Sequence, residues 1–217
     1  MRQAIFHVIK QCSRKECSMR FPVLVGEELG TVCPLCKAPT ETVVGPYQEY
    51  DVTSSFPAGG HPELEVLLDN IRSIYNVGAF FRTADGAGIR HVHLCGMTPT
   101  PAHKRLAKTA LGAQEALAWT YHRNGLIAAR SLKDKGMRLW ALEGGSTSVP
   151  LPGVIGDIAG DPIVLVTGNE ISGVDPGILD LCEKIIHIPM NGIKTSLNAA
   201  VAFGIAVYTL RFSNTMK

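Results

Sequence analysis

The stretch Ile163-Val-Leu-Val-Thr-Gly-Asn-Glu-Ile-Ser-Gly-Val174 decides the fold of this chain. Its first four residues are isoleucine, valine and leucine, as expected for a strand buried on both faces of a parallel sheet. The polar segment Thr167–Glu170 follows at once and would place a carboxylate at the carboxyl end of that strand. Because ligands of such sheets gather at this edge, the stretch predicts a site there. Capping of the next turn by Glu170 is the alternative.

Apolar runs alternate with helix-compatible segments through the rest of the chain. Strands are predicted at Leu64–Leu68, Val92–Cys95, Leu117–Tyr121, Arg138–Leu142, Ile163–Val166 and Ile185–Ile188. Helices are predicted at Val77–Ala87, Leu126–Lys135 and Leu197–Leu210. The alternation predicts an α/β domain, with a largely parallel sheet covered by helices on both faces. The sequence has no Gly-x-Gly-x-x-Gly after the first strand and no Gly-Lys-Ser/Thr loop, which disfavours ordinary dinucleotide and P-loop sites.

Four of the six cysteines lie within the first 36 residues and form two pairs, Cys12 with Cys17 and Cys33 with Cys36. A plausible strand, Phe21–Val25, separates the pairs. Two such knuckles joined by a hairpin can place four thiolates tetrahedrally around a metal, the pattern of a structural zinc ribbon. Iron in a rubredoxin-like site and four unrelated thiols are the alternatives. Metal binding would supply much of the folding energy of so small a segment.

The composition of the chain indicates a domain boundary and a cellular compartment. Turn-forming and acidic residues between Glu41 and His61 show no persistent periodicity and indicate a linker. We therefore predict a zinc ribbon over residues 1–45, a linker over residues 46–62 and an α/β domain over residues 63–217. The formal net charge of +2 neither demands nor excludes nucleic acid. With no secretory signal pattern and no apolar run of membrane-spanning length, a cytoplasmic protein with reduced cysteines is expected.

Two further segments carry polar residues next to predicted helices. Asn76 can cap the helix after the first strand, Gly78 allows a close approach, and Arg82 follows at about one and two-thirds turns. An arginine near a strand-end cleft can grip phosphate in a planar fork, and a solvated helical arginine is the alternative.

The third segment is Ile188-Pro-Met-Asn-Gly-Ile-Lys-Thr-Ser-Leu-Asn198, which precedes a nearly all-apolar helix. It would end a strand, turn at Gly192, and deliver Ser196 and Asn198 to the start of that helix. Polar groups beside unpaired backbone N–H groups make a site for a polar ligand. Simple capping of the helix by Thr195 or Ser196 is the alternative.

Together, Asn76-Val-Gly-x3-Arg82, Gly168-Asn-Glu-x2-Gly173 and Ile188-Pro-Met-x5-Ser196-Leu-Asn198 resemble, in order, the three signature motifs of the SpoU/TrmH family. Members of this family are S-adenosylmethionine-dependent RNA ribose 2′-O-methyltransferases of the SPOUT superfamily. The resemblance implies a deep trefoil knot at the carboxyl end and a cofactor bent into the knotted loops. It also implies a homodimer with the knot and the last helix at its interface.

The resemblance assigns roles to matching positions. Arg82 would engage the target ribose and phosphate and activate the 2′-hydroxyl, and Asn76 would hold the surroundings of that arginine. Glu170, Ser196 and Asn198 would complete the reaction centre. The implied cofactor-binding residues are Leu142, Gly144, Thr167, Gly168, Ile188, Met190, Ser196 and Leu197. Because a guanidinium has a pKa above about 12, Arg82 is expected to act with an RNA phosphate rather than as a free base.

The expected function is methylation of a ribose 2′-hydroxyl in tRNA or rRNA. Basic residues at His103–Lys108, and Arg14, Lys15 and Arg20 of the ribbon, are the expected RNA contacts. A non-catalytic RNA-binding or ribosome-assembly protein that retains the knot is one alternative. A base-methylating SPOUT enzyme is another, against which the motifs around Asn76 and Ser196 argue.

Overall fold

The computed structural model describes residues 5–26, 30–48, 62–158 and 162–213. The chain divides into two compact units, Met1–Pro57 and Ala58–Lys217.

The first unit contains a three-stranded antiparallel sheet of order β2-β1-β3, built from β1 (Phe6–Cys12), β2 (Arg20–Leu24) and β3 (Thr40–Gln48). The strand predicted at Phe21–Val25 is β2, shifted by one residue. The linker predicted over residues 46–62 begins too early, because residues 46–48 belong to β3, which pairs with β1. An irregularity between His7 and Ile9 of β1 lets this pairing accommodate Gly45 and Pro46. Residues 49–61 of the predicted linker lie outside the described residues.

The second unit is built on a seven-stranded sheet of order β6-β5-β4-β9-β7-β10-β8, in which every pairing is parallel. The strands are β4 (Leu64–Asp69), β5 (His91–Cys95), β6 (Ala118–His122), β7 (Arg138–Leu142), β8 (Val149–Pro150), β9 (Ile163–Thr167) and β10 (Lys184–His187). All six predicted strands are present within one or two residues. The two-residue edge strand β8 was not predicted.

Helices cover both faces of this sheet, as predicted. They are α1 (Ile74–Gly86), α2 (Leu106–Ala110), α3 (Ala113–Ala116), α4 (Gly125–Asp134), α5 (Pro176–Leu179) and α6 (Ala199–Phe212), with a 3-10 helix at Leu151–Asp157. One apolar core lies between the sheet and the helices α1, α2, α3 and α6. A second lies between the opposite face and the helices α4 and α5. The parallel α/β architecture inferred from the strand pattern is therefore confirmed.

The starts of α1 and α6 differ from the sequence predictions. Ser73 caps α1, because its hydroxyl accepts the backbone N–H of Asn76, so Asn76 stands inside the first turn rather than at the cap. Asn198 caps α6 and accepts from the N–H groups of Ala200 and Val201, so neither Thr195 nor Ser196 is the cap. In α1, capping by Ser73 leaves the side-chain amide of Asn76 available for another contact. In α6, the capping residue Asn198 uses its side-chain oxygen for the cap, and its amide nitrogen makes another contact.

Helix α6 is buried on one side only. Ala200, Phe203, Ala206, Val207 and Leu210 are buried, whereas a stripe of three larger apolar residues, Val201, Ile205 and Tyr208, stays exposed. Burial on several sides, which the all-apolar sequence predicted, is thus not achieved within one chain. The knot implied by the family resemblance stays a prediction. Among the described helices, none has the length and apolar character to cross a bilayer.

Candidate active site

A hollow of about 310 Å³ opens at the carboxyl edge of the sheet, beside the neighbouring strands β9, β7 and β10. The loops that follow these three strands supply most of its lining. The predicted cofactor-binding residues all line this one hollow: Leu142, Gly144, Thr167, Gly168, Ile188, Met190, Ser196 and Leu197. The structure thus brings together residues that are up to 55 positions apart (197 − 142 = 55). Their role in binding a cofactor stays a prediction.

The loop after β9 folds back on itself through Asn169. The backbone groups of Asn169 and Gly173 exchange two hydrogen bonds of 3.0 and 2.9 Å. The Asn169 side chain accepts from the N–H groups of Ile171 and Ser172 and donates to the carbonyl of Asn70 at 2.7 Å. Asn169 therefore shapes the rim of the hollow, a role the sequence prediction missed although the residue stands inside the motif.

Two glycines make this closed loop possible. A Cβ on Gly168 would clash with the backbone of Gly173 and Val174. Gly173 has a φ of +75°, and a Cβ there would lie 2.5 Å from the carboxylate of Glu143. The close approach of backbone to backbone requires glycine at position 168, and the left-handed backbone beside the Glu143 side chain favours it at position 173.

Glu143, directly after β7, is a second residue to which the sequence analysis assigned no role, although it places Glu143 at the same rim. One carboxylate oxygen accepts the N–H of Val174 at 3.0 Å, and the other accepts that of Gly144 at 3.1 Å. Glu143 therefore joins the loop after β7 to the loop after β9. Its position at the end of a predicted strand was the available sequence signal.

Glu170 connects this loop to the start of α1. Its carboxylate accepts the backbone N–H groups of Arg72 and Ser73 at 2.9 and 3.0 Å and the side-chain amide of Asn76 at 2.8 Å. Burial alone would raise the pKa of Glu170, but these donors together lower it below the ordinary value. Glu170 is therefore a carboxylate at neutral pH and does not cap the turn that follows it.

Four of the five predicted catalytic residues lie side by side. Asn198 donates its side-chain amide to Asn76 at 3.1 Å, and Asn76 contacts Glu170. Ser196 lines the 310 Å³ hollow together with Glu170. All three sequence motifs thus meet at one point of the sheet edge.

Arg82 is the predicted site residue that stands apart. It is exposed and lies six residues beyond Asn76, about 9 Å along α1 at 1.5 Å per residue. It shares the outward face of the helix with Tyr75, seven residues earlier, which is 75% exposed. Its spacing in sequence was read correctly, but spacing alone did not reveal that Arg82 is absent from the described lining of the hollow.

The composition of the hollow suits S-adenosylmethionine, which has both polar and apolar parts. Apolar side chains such as Leu142, Ile188 and Leu197 alternate around it with polar and backbone groups. Thr167 also lines it, and its buried hydroxyl has no hydrogen-bond partner within the described ranges. Since a buried hydroxyl without a partner costs free energy, a polar ligand group here would satisfy it.

The first unit brings the four predicted metal ligands together. The Sγ atoms of Cys12, Cys17, Cys33 and Cys36 all lie within 4.8 Å of one another. The distance is 3.4 Å between Cys12 and Cys36 and 3.7 Å between Cys17 and Cys33. A tetrahedron with metal–sulfur bonds of about 2.3 Å has edges of about 3.8 Å, so these four thiols can bind zinc.

The two knuckles surround these thiols with different environments. Backbone N–H groups, that of Cys36 first, lower the pKa of the Cys33 thiol to about 7. Burial raises the pKa of Cys12 to about 12. Turns that aim N–H groups at sulfur are suited to thiolate ligands, because they stabilise the charged form.

An all-parallel sheet with a hollow formed by the loops of neighbouring strands defines an α/β ligand-binding protein. Residues 63–208 match the SpoU rRNA Methylase family. This match covers more than half of the chain, and the chain belongs to that family.

Relatives and solved structures agree with this assignment. A tRNA (guanosine(18)-2′-O)-methyltransferase from Escherichia coli K12 is 30% identical over 147 residues, 68% of this chain and 62% of that protein. One from Aquifex aeolicus is 33% identical over 150 residues, 67% of each chain. An AdoMet-bound rRNA methyltransferase from Sinorhizobium meliloti superposes with a TM-score of 0.66 at 27% identity, covering 73% of this chain and 59% of that one. The chain thus spans less than two thirds of the Escherichia coli relative.

Proposed function

We propose that this chain is an S-adenosylmethionine-dependent RNA methyltransferase that modifies a ribose 2′-hydroxyl in tRNA or rRNA. The relatives above are named as tRNA 2′-O-methyltransferases, and the Sinorhizobium meliloti structure is that of an AdoMet-bound rRNA methyltransferase. The proposal rests chiefly on one observation. Three distant motifs join through Glu170, Asn76 and Asn198 directly beside the hollow.

The hollow would bind the cofactor, and the residues beside it would position the ribose. S-adenosylmethionine would supply a methyl group that its sulfonium already activates. The protein then needs mainly to hold the 2′-oxygen in line with that methyl group and to prevent other orientations of the ribose. The eight predicted cofactor-binding residues in the lining would hold the cofactor, and the amides of Asn76 and Asn198 would face the ribose. Glu170 fixes the amide of Asn76, and Asn76 fixes that of Asn198, so both require little ordering when RNA arrives.

RNA would approach across exposed basic residues on the same side of the sheet as α1. Lys104, Arg105 and Lys108 are exposed at the start of α2, which packs against α1 where Gly78 meets Thr109. Such residues neutralise phosphates with little regard to sequence. The zinc ribbon, with Arg14, Lys15 and Arg20 exposed, would add a second contact to unpaired nucleotides.

The exposed stripe on α6 supports the proposal of a homodimer. Val201, Ile205 and Tyr208 recur at helical spacing and present apolar surface that another copy of the same helix can cover. A knotted carboxyl end beside this helix, the domain limits given above and a cytoplasmic location belong to the same proposal.

Arg82 has a place in this dimer. A Cβ on Gly86, one turn after Arg82, would lie 2.8 Å from the hydroxyl of Tyr208, so the outer face of α1 flanks the stripe. Arg82 would therefore reach toward the second copy, and toward RNA seated between the copies. There it would stabilise the developing alkoxide while a phosphate or solvent takes the proton. Near-normal turnover by Arg82→Lys would refute the need for a planar guanidinium.

The deciding experiment uses the alkali resistance of 2′-O-methylated linkages. The purified chain is incubated with labelled S-adenosylmethionine and total RNA from cells that lack it, and the RNA is then hydrolysed in alkali. Ribose methylation leaves labelled, alkali-resistant dinucleotides. Label in alkali-cleaved mononucleotides would instead indicate base methylation, and RNA binding without label would indicate a non-catalytic protein. Asn198→Ala should lower the incorporation, and Arg130→Ala, on the opposite face of the sheet, should not.

A further inference from the structure

A second hollow, of about 520 Å³, opens next to the first one. Its described lining consists of Arg72, Ser73, Asn76, Glu170, Ile171, Leu197, Asn198 and Ala199. Four of these residues, Glu170, Ile171, Leu197 and Ala199, also line the first hollow. The two hollows therefore share a wall, and a group held in one can meet a group held in the other.

Arg72 is the only lysine or arginine among the described residues that line either hollow. Its backbone N–H is fixed to Glu170 at 2.9 Å. Its guanidinium is exposed and makes no hydrogen bond or ion pair within the ranges that the structure describes. The side chain is thus anchored at its base and available at its end.

Glu170 is the one carboxylate in the second hollow, and its charge is already compensated. Its two oxygens accept two backbone N–H groups at the start of α1 and the Asn76 amide. Because these donors are committed to Glu170, the guanidinium of Arg72 is the cationic group left for an incoming anion. Of the remaining lining, the Ser73 hydroxyl accepts the N–H of Asn76 and has a proton to donate, which suits a ribose oxygen.

We propose that Arg72 binds a backbone phosphate of the RNA in the second hollow, so that the target ribose lies against the shared wall. This assignment rests on the proposed function, which requires an RNA strand beside the cofactor hollow. A guanidinium matches two phosphate oxygens with a planar pair of N–H donors, which fixes orientation as well as charge. Arg72 would therefore be a positioning residue that acts within its own chain, distinct from Arg82 on the outer face of α1.

The test compares Arg72→Ala and Arg72→Lys with Arg130→Ala, a control that removes an exposed arginine from α4 on the other face of the sheet. Initial rates of methyl transfer are measured against total RNA from cells lacking the protein, and against S-adenosylmethionine. Arg72→Ala should raise KM for RNA about 10-fold and leave KM for the cofactor unchanged. Arg72→Lys should recover part of the loss, because it keeps the charge and loses the fork. Arg130→Ala should match the unmodified protein.

Binding to fluorescently labelled bulk tRNA provides a second readout that needs no turnover. Loss of one phosphate contact should reduce the slope of log affinity against log salt by about 1 in Arg72→Ala relative to Arg130→Ala. An unchanged slope with an unchanged KM for RNA would overturn the proposal. A raised KM for the cofactor alone would also overturn it, because the guanidinium would then serve the cofactor's carboxylate. If the unmodified protein transfers no methyl group yet the slope falls as expected, the proposed activity fails and the phosphate contact stands.

Discussion

The side-chain amide of Asn198 donates a hydrogen bond of 3.1 Å to Oδ1 of Asn76, although 122 residues separate them in the chain. The other end of the Asn76 amide donates to Glu170 at 2.8 Å. Asn198 at the same time caps α6. These hydrogen bonds therefore hold three segments together: the start of α1, the start of α6 and the loop after β9. A substitution at Asn76 should disturb all three.

Replacing Asn76 by aspartate should convert this connection into a repulsion. The new carboxylate would stand where the amide now lies 2.8 Å from a Glu170 oxygen, and it would have no proton to donate. We expect Asn76→Asp to lower the free energy of unfolding at pH 7 by about 1–2 kcal/mol, measured by urea denaturation. Asn124→Asp is the matched control, since aspartate caps α4 as well as asparagine does. Equal stability of the two variants would contradict the prediction.

Glu170→Gln should alter how stability depends on pH. The donors around Glu170 hold its pKa in the folded protein below its ordinary value of about 4.3. A lowered pKa stabilises the fold above the unfolded-state value, and this stabilisation is lost as pH falls through the folded-state value. The stability difference between the two proteins should therefore be largest well above the unfolded-state pKa, at pH 6–7, and should shrink as the pH falls through the folded-state pKa. Because Glu170 is exposed, we expect less than about 1 kcal/mol. A difference that does not vary with pH would contradict this account.

Gly168→Ala should disrupt the hollow. The added Cβ would overlap backbone atoms of Gly173 and Val174, which cannot move without breaking the hydrogen bonds of the loop after β9. We expect a loss of about 1–3 kcal/mol in unfolding free energy and no measurable uptake of S-adenosylmethionine by calorimetry. Gly153→Ala is the control, because a Cβ there meets nothing within 4 Å. Normal cofactor uptake by Gly168→Ala would mean that this loop does not shape the binding site.

The cysteine cluster should carry one zinc ion per chain. Cys33→Ser removes one of four ligands, so metal measured by mass spectrometry should fall well below one equivalent, and chelation should unfold the first unit of the unmodified protein. Cys182→Ser is the control, because Cys182 belongs to the second unit and donates to the carbonyl of Ile178. An unmodified protein purified without metal that keeps its circular dichroism would contradict the prediction.

The sequence predicted elements better than it predicted their ends. Strands such as β7 and β9 were placed correctly, because largely apolar runs of this length are typical of strands buried in a parallel sheet. The capping residues were misplaced, because Ser73 and Asn76 are both good caps and only the hydrogen bond of Ser73 separates them. Strand β8 was missed, because Val149–Pro150 is only two residues long and is defined by its pairing with β10 rather than by a sequence pattern.

The candidate site was also predicted only in part from the sequence. The family resemblance assigned residues at strand ends, such as Leu142 and Thr167, to one pocket, and the topology agrees because parallel strands bring their carboxyl ends to one edge. Arg82 and Arg72 could not be distinguished in this way. Both stand near Asn76 in sequence, but Arg72 lies just before α1 and lines a hollow, whereas Arg82 lies inside α1 and is exposed.

Ile205→Glu should convert a dimer into a monomer. Val201, Ile205 and Tyr208 are 52%, 41% and 44% exposed on a helix whose other side is core. Covering this stripe with a second copy would remove apolar surface from water, and a buried glutamate without a partner would cancel that gain. Sedimentation should give twice 23.3 kDa for the unmodified protein and 23.3 kDa for Ile205→Glu. Ile127→Glu, at a 64% exposed site on α4, is the matched control and should remain dimeric. A monomeric unmodified protein, or a dimeric Ile205→Glu, would remove α6 from the interface and with it the proposed route by which Arg82 reaches a second copy.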